Sequence, residues 1–179
     1  MAAPVSDVDH FVRRAENWPE QFGLLVAIAV AYRNVYPELD LRPVLTPALL
    51  ADLDTLEQRC MTEVTGYYYR PIAEMLVKTP REVPAFAARL RENLAGNTPV
   101  RIPVLVTQGN IDQIIDKADT DALVARFCAM RIPVSYLVRG GENHGILDDD
   151  VLLPWMRGRV LGDQAPDTCT SAPSGSTRR

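Results

Sequence analysis

Two short runs rich in β-branched residues, Ile102–Thr107 and Pro133–Val138, flank a single helical pattern, and no other feature constrains the fold of this chain as much. Each run has the length of a buried strand and is bounded by turn residues. The segment between them has Asp116 and Asp119, either of which can cap a helix, followed by an apolar face of Leu123, Val124, Phe127 and Cys128. Arg131–Pro133 turns the chain into the second run. Strand, helix and strand in this order predict a βαβ unit with parallel strands and a right-handed crossover. The loops QGNID (108–112) and Arg139–Gly145 then leave the carboxyl end of the sheet, where open α/β sheets gather functional residues. A final helix is predicted from Asp148 to Val160.

The chain before this unit reads as helical. Residues 1–21 are polar and show no obvious strand. FGLLVAIAVAYRN (22–34) is apolar on nearly all sides, which predicts a buried helix, and YPELDL (36–41) follows as a turn and linker. A helix is predicted from Thr46 to Met61, with Thr46 as cap, Pro47 at its first position, and Leu49, Leu50, Leu53 and Leu56 on one face. Tyr67, Tyr68 and Tyr69 precede Pro71, and helical patterns return at 71–77 and 83–94. From Asp163 the chain is rich in Pro, Ser, Thr and Gly and reads as disordered apart from Cys169. The expected divisions are a polar segment (1–21), a helical region (22–100), an α/β region (101–162) and a tail (163–179).

Composition excludes several function classes. A formal net charge of −4 and a pI near 5.2 give no nucleic-acid footprint. The longest apolar run, Phe22–Tyr32, falls short of the roughly 20 residues a transmembrane helix needs. Asp7, Asp9, Glu16 and Glu20 precede it, unlike the short basic opening of an export signal, so none is expected in the chain as written and the compartment stays open. Cys60, Cys128 and Cys169 form no CxxC and lie far in sequence from His10 and His144, which argues against zinc. Three cysteines leave at least one without an internal partner, and in a reducing compartment all three would be free. No cofactor is implied.

Asp112 and His144 are the residues that could carry chemistry. Adjacent parallel strands run about 4.8 Å apart, so loops leaving their same ends can bring these side chains into hydrogen-bond reach. In a serine-hydrolase triad a carboxylate fixes the imidazole tautomer and stabilises the imidazolium, and acid before histidine is the α/β-hydrolase order. Taken singly, His144 reads as a loop histidine and Asp112 as a turn or cap residue; at the ends of consecutive strands the catalytic reading prevails. Gly140, Gly141 and Gly145 allow a tight loop around His144. His10 has no partner pattern and reads as solvated. A nucleophile is missing. Ser6, Ser135, Ser171, Ser174 and Ser176 all lie outside any G-x-S-x-G elbow. Cys60 and Cys128 fall within predicted helices, and no HGGG-type oxyanion motif is present.

The stretch 103–147, above all QGNID (108–112), TDALVARFC (120–128) and GENHG (141–145), resembles the carboxyl-terminal region of the microbial secretory lipases, α/β-hydrolases acting on triacylglycerols and simpler esters. YPELDL (36–41) and the Leu56–Cys60 segment also resemble that family, so the likeness spans roughly residues 22–170. It implies a partial α/β-hydrolase fold, with a helical cap region followed by the last βαβα unit. Asp112 would be the triad acid and His144 the base, with the serine elbow upstream of Met1. Cys128 and Cys169 would form a disulfide, worth about 4 kcal/mol through loop closure. Cys60 would match a cysteine whose partner precedes the elbow, and the block at 22–97 would match the cap over the acyl pocket. The chain departs from the family at IIDKAD, where members often carry proline near Asp116 and Lys117, and at Asn143, where an acidic residue is common.

Two functions follow as expectations. The first is the carboxyl-terminal part of a lipid-ester hydrolase, inactive without the serine and oxyanion donors of an amino-terminal complementing chain. The second is a non-catalytic module that binds lipid or a partner on the same scaffold, using sheet edges left without neighbours.

Overall fold

The structure, a computed structural model, describes residues 1–18, 22–54, 58–60, 63–64, 72–145 and 149–171. Expectations at Leu56, Met61, Tyr67–Tyr69, Pro71 and Asp148 lie outside the described residues. The chain divides into two compact units, one formed by Asp7–Leu94 and the other by Met1–Ser6 with Ala95–Arg179.

The first unit is helical: α1 (Val8–Ala15), α2 (Phe22–Val35), α3 (Pro47–Ala51), α4 (Ile72–Met75), a 3-10 turn (Pro80–Glu82) and α5 (Pro84–Glu92). α1 falls in a stretch that reads as merely polar. The Asp7 side chain accepts the His10 N–H at 2.9 Å, satisfying one of the donors that a helix start leaves unpaired. Phe11, Val12 and Ala15 then share its buried face. α2 is less enveloped than expected. Leu25, Val26, Ala29 and Val30 are buried, whereas Leu24, Ala27 and Ile28 are only half-buried. The four buried residues of α2 form one core with Val44, Leu45, Leu49, Met75 and Phe86.

The helix expected to run unbroken to Met61 is instead interrupted at Asp52, after which Leu53 and Asp54 are again helical. Thr46 caps α3 and Pro47 opens it, as the sequence predicts. Asp52, at φ −103° and ψ 0°, then turns its N–H onto the Leu49 carbonyl and closes the helix. Cys60 correspondingly lies outside a helix. Its N–H donates to the Glu63 carboxylate at 2.8 Å and its thiol is free and exposed.

The second unit combines helices with a small parallel sheet. β1 (Val104–Gly109) pairs with β2 (Val134–Arg139) from Val104 opposite Val134 to Gly109 opposite Arg139. Between them runs α6 (Lys117–Ala129), and α7 (Asp149–Leu161) and a 3-10 turn (Thr168–Ser171) follow. Leu105 to Gly109 are all buried, as expected of a parallel strand covered on both faces. Val106, Leu123, Val124, Phe127, Ile132 and Val134 make the core. Asp116 is the cap of α6, accepting the Ala118 N–H; Asp119 sits in the first turn.

Both edges of this sheet have neighbours, contrary to expectation. On the outer side of β1, Ala2 forms a parallel bridge with Thr107. The Thr107 N–H donates to the Met1 carbonyl and the Ala3 N–H to the Thr107 carbonyl, each at 2.9 Å. On the outer side of β2, the described part (163–171) of the segment expected to be disordered is built onto the strand, while 172–179 lie outside the described residues. Asp167 accepts the Val134 N–H at 3.2 Å, Thr168 Oγ1 accepts the Tyr136 N–H at 3.2 Å, and Ser135 Oγ donates to the Pro166 carbonyl at 2.6 Å. Side-chain oxygens thus satisfy donors that an edge strand leaves open, which composition alone does not register. A disulfide between Cys128 and Cys169 joins this segment to α6. No helix among the described residues is long and apolar enough to cross a membrane.

Candidate functional site

Asp112 and His144 meet at the carboxyl end of the two strands. Register puts the loop after Gly109 beside the loop after Arg139, and hydrogen bonds staple the loops together. The Asn110 N–H donates to the Arg139 carbonyl at 2.9 Å and the Ile111 N–H to the Glu142 carbonyl at 3.1 Å. The Gly141 N–H donates to Asn110 Oδ1 at 2.7 Å and the Gln113 N–H to Asn143 Oδ1 at 2.9 Å. Two glycines make this approach possible. Gly141 has φ +76°, in the left-handed region. At Gly109 a Cβ would lie 2.3 Å from the Glu142 carbonyl oxygen.

Within this staple, His144 Nδ1 lies 3.0 Å from Asp112 Oδ2. The other carboxylate oxygen, Oδ1, accepts the N–H groups of Ile114 and Ile115, both at 2.9 Å. Asp112's side chain is fully buried, whereas His144's is 35% exposed, so the acid is shielded while the base can be reached. Burial by itself would raise the Asp112 pKa. The hydrogen bonds from the Ile115 N–H, His144 and the Ile114 N–H, with the attraction of His144, outweigh it and hold the carboxyl below its ordinary value. An ionised carboxylate only accepts. It therefore selects the tautomer with the proton on Nδ1, leaving Nε2 as the basic nitrogen.

The remaining sequence candidates do not complete a triad. Ser6 is buried and donates to the Asp119 carbonyl at 3.0 Å. Ser135 lies mid-strand opposite Leu105, bonded to Pro166 and accepting the Trp155 N–H at 3.0 Å. The side chains of Ser171, Ser174 and Ser176 lie outside the described residues. Cys128 is held in its disulfide. His10 lies on α1, beside Arg13, Arg14, Asn17 and Trp18 in a shallow groove of the helical unit. No group of three metal-ligating side chains occurs among the described residues.

One participant was not read from the sequence. Gln108 is wholly buried at the end of β1. Its Nε2 donates to Asp112 Oδ2 at 3.1 Å and to the Gly109 carbonyl at 3.0 Å, and its Oε1 accepts from Thr120 Oγ1 at 2.7 Å. The available signal was an amide side chain continuing an apolar strand, where a buried polar group requires partners.

A model of the family described as "Secretory lipase" matches residues 1–168, starting earlier than the resemblance read from the sequence. No curated protein and no solved structure matches the chain.

Proposed function

This chain belongs to the secretory lipase family, and from that premise we propose that Asp112 and His144 are the acid and base of a serine-esterase triad acting on lipid esters, triacylglycerols among them. The observation that carries this reading is the Nδ1–Oδ2 contact of 3.0 Å, made by a carboxylate whose other oxygen is held by two backbone N–H groups. In such a reaction a serine hydroxyl gives its proton to His144 Nε2 as its oxygen attacks the ester carbonyl. Asp112 stabilises the imidazolium, which then protonates the leaving alcohol; water hydrolyses the acyl-enzyme by the same route. The fold reading that goes with it is a partial α/β-hydrolase, with 101–162 from its core and 22–100 in the place of the family's cap.

Among the described residues no serine is positioned to give His144 its proton, and no G-x-S-x-G elbow occurs in the sequence; on this reading a family elbow segment supplies the nucleophile and oxyanion donors. Alone, the chain lacks most of the transition-state stabilisation that ester hydrolysis needs. The test is p-nitrophenyl butyrate and tributyrin hydrolysis by the purified chain, alone and fused behind the elbow-bearing segment of a full-length family member. The expected result is no turnover alone, and turnover in the fusion that is lost in His144→Ala and strongly reduced in Asp112→Asn. Turnover by the chain alone that disappears in His144→Ala would overturn the inactivity, and a fusion indifferent to His144→Ala would overturn the assignment.

A second reading, a non-catalytic module that binds lipid or a partner chain, is favoured by α7. None of its residues is buried, and Leu153, Met156, Val160 and Leu161 are exposed at 51% or more. Apolar exposure of this kind marks contact surfaces.

A further inference from the structure

We propose that Gln108, clamped by Thr120, is a positioning residue of the acid–base pair, setting the direction from which Asp112 Oδ2 receives His144. This rests on the assignment of Asp112 and His144 above. Gln108 Nε2 and His144 Nδ1 lie 3.1 and 3.0 Å from the same carboxylate oxygen, while the Ile114 and Ile115 N–H groups hold the other. The two backbone bonds anchor Oδ1 but leave the carboxylate free to swing Oδ2 about it. Gln108 removes that freedom. Its amide can serve only one way round, because a carboxylate accepts and does not donate, so the NH2 must face Asp112 and Oε1 must face away. Thr120 Oγ1 meets that oxygen at 2.7 Å and locks the orientation. A chain of hydrogen bonds, buried at its Thr120 end, thus runs from the first turn of α6 through the end of β1 to the imidazole. Gln108 and Thr120 are both wholly buried, so water does not compete for these bonds.

The test uses the full chain and the 15N shifts of its two histidines, at a pH where the imidazoles are neutral. His10 is the internal reference. In the wild type His144 is expected mainly as the Nδ1–H tautomer. Gln108→Met keeps the side chain's bulk and removes its amide, and should lower the Nδ1–H to Nε2–H ratio about tenfold, the worth of one hydrogen bond to a charged group. Thr120→Val should lower it by less, and Thr120→Ser, which keeps the hydroxyl, should restore it. A folded Gln108→Met with the wild-type ratio would overturn the positioning role and leave the pair standing. Should Gln108→Met not fold, equal ratios in Thr120→Val and Thr120→Ser would overturn it instead. A wild type without the Nδ1–H preference would overturn the pair itself, a different result from either.

Discussion

Gly109→Ala probes how the structure brings the acid and base loops together. The new Cβ would lie 2.3 Å from the carbonyl oxygen of Glu142 and 2.7 Å from that of Asn143, whereas ordinary contact begins at 3.4 Å. Both obstacles are backbone atoms, so no side chain can rotate away; the His144 loop must retreat by about 1 Å. That retreat breaks the bond from the Ile111 N–H to the Glu142 carbonyl, now 3.1 Å. It also stretches the Asp112–His144 contact to about 4 Å, beyond hydrogen-bond reach. Overpacking of this kind costs about 1–3 kcal/mol. The assay is urea unfolding followed by circular dichroism, with the His144 tautomer read from 15N shifts. The expected outcome is a lower midpoint with an unchanged slope and loss of the Nδ1–H preference. Gly140→Ala is the control, because its Cβ would meet nothing within 4 Å, and it should change stability by no more than about 0.5 kcal/mol. An unchanged midpoint and tautomer in Gly109→Ala would refute the reasoning.

Asp112's carboxyl is held below its ordinary value in the folded chain, so the unfolded chain binds more protons as acid is added. Its stabilising contribution is complete above the unfolded value of about 3.9 and is lost as pH falls through the folded one. Urea midpoints measured from pH 6 to pH 2 should therefore fall less steeply in Asp112→Asn than in the wild type, and parallel curves would contradict this. The disulfide between Cys128 and Cys169 closes a loop with a sequence separation of 41. The double variant Cys128→Ala/Cys169→Ala should lose about 4 kcal/mol of unfolding free energy. A loss below about 1 kcal/mol would mean that Asp167 and Thr168 suffice to hold the tail on β2.

The βαβ unit was legible because its signals are local. Its two runs alternate with one helix, and a capping aspartate and two turns mark the boundaries. The observed strands lie slightly later than predicted, Val104–Gly109 rather than Ile102–Thr107 and Val134–Arg139 rather than Pro133–Val138. The first shift has a clear cause. Gln108 looks like the start of a loop in sequence, but pairing with Asp112 and Thr120 makes it tolerable inside a buried strand. α1 also left a readable trace in Asp7, Phe11, Val12 and Ala15, masked by the charged residues around them. The neighbours on the two sheet edges left none. Thr107 is paired with Met1 and Ala3, and β2 with Pro166–Thr168, far apart in the chain.

The sequence by itself determined the parallel pair, the intervening helix, the loops that carry Asp112 and His144, and the absence of a serine elbow, since each is written in consecutive residues. Only the tertiary structure decided that Nδ1 of His144 faces Oδ2 of Asp112, that Gly109 admits the facing loop, and that Gln108 stands behind the acid. Those facts depend on which backbone atoms meet across two loops separated by a whole helix, and sequence spacing carries no record of such meetings.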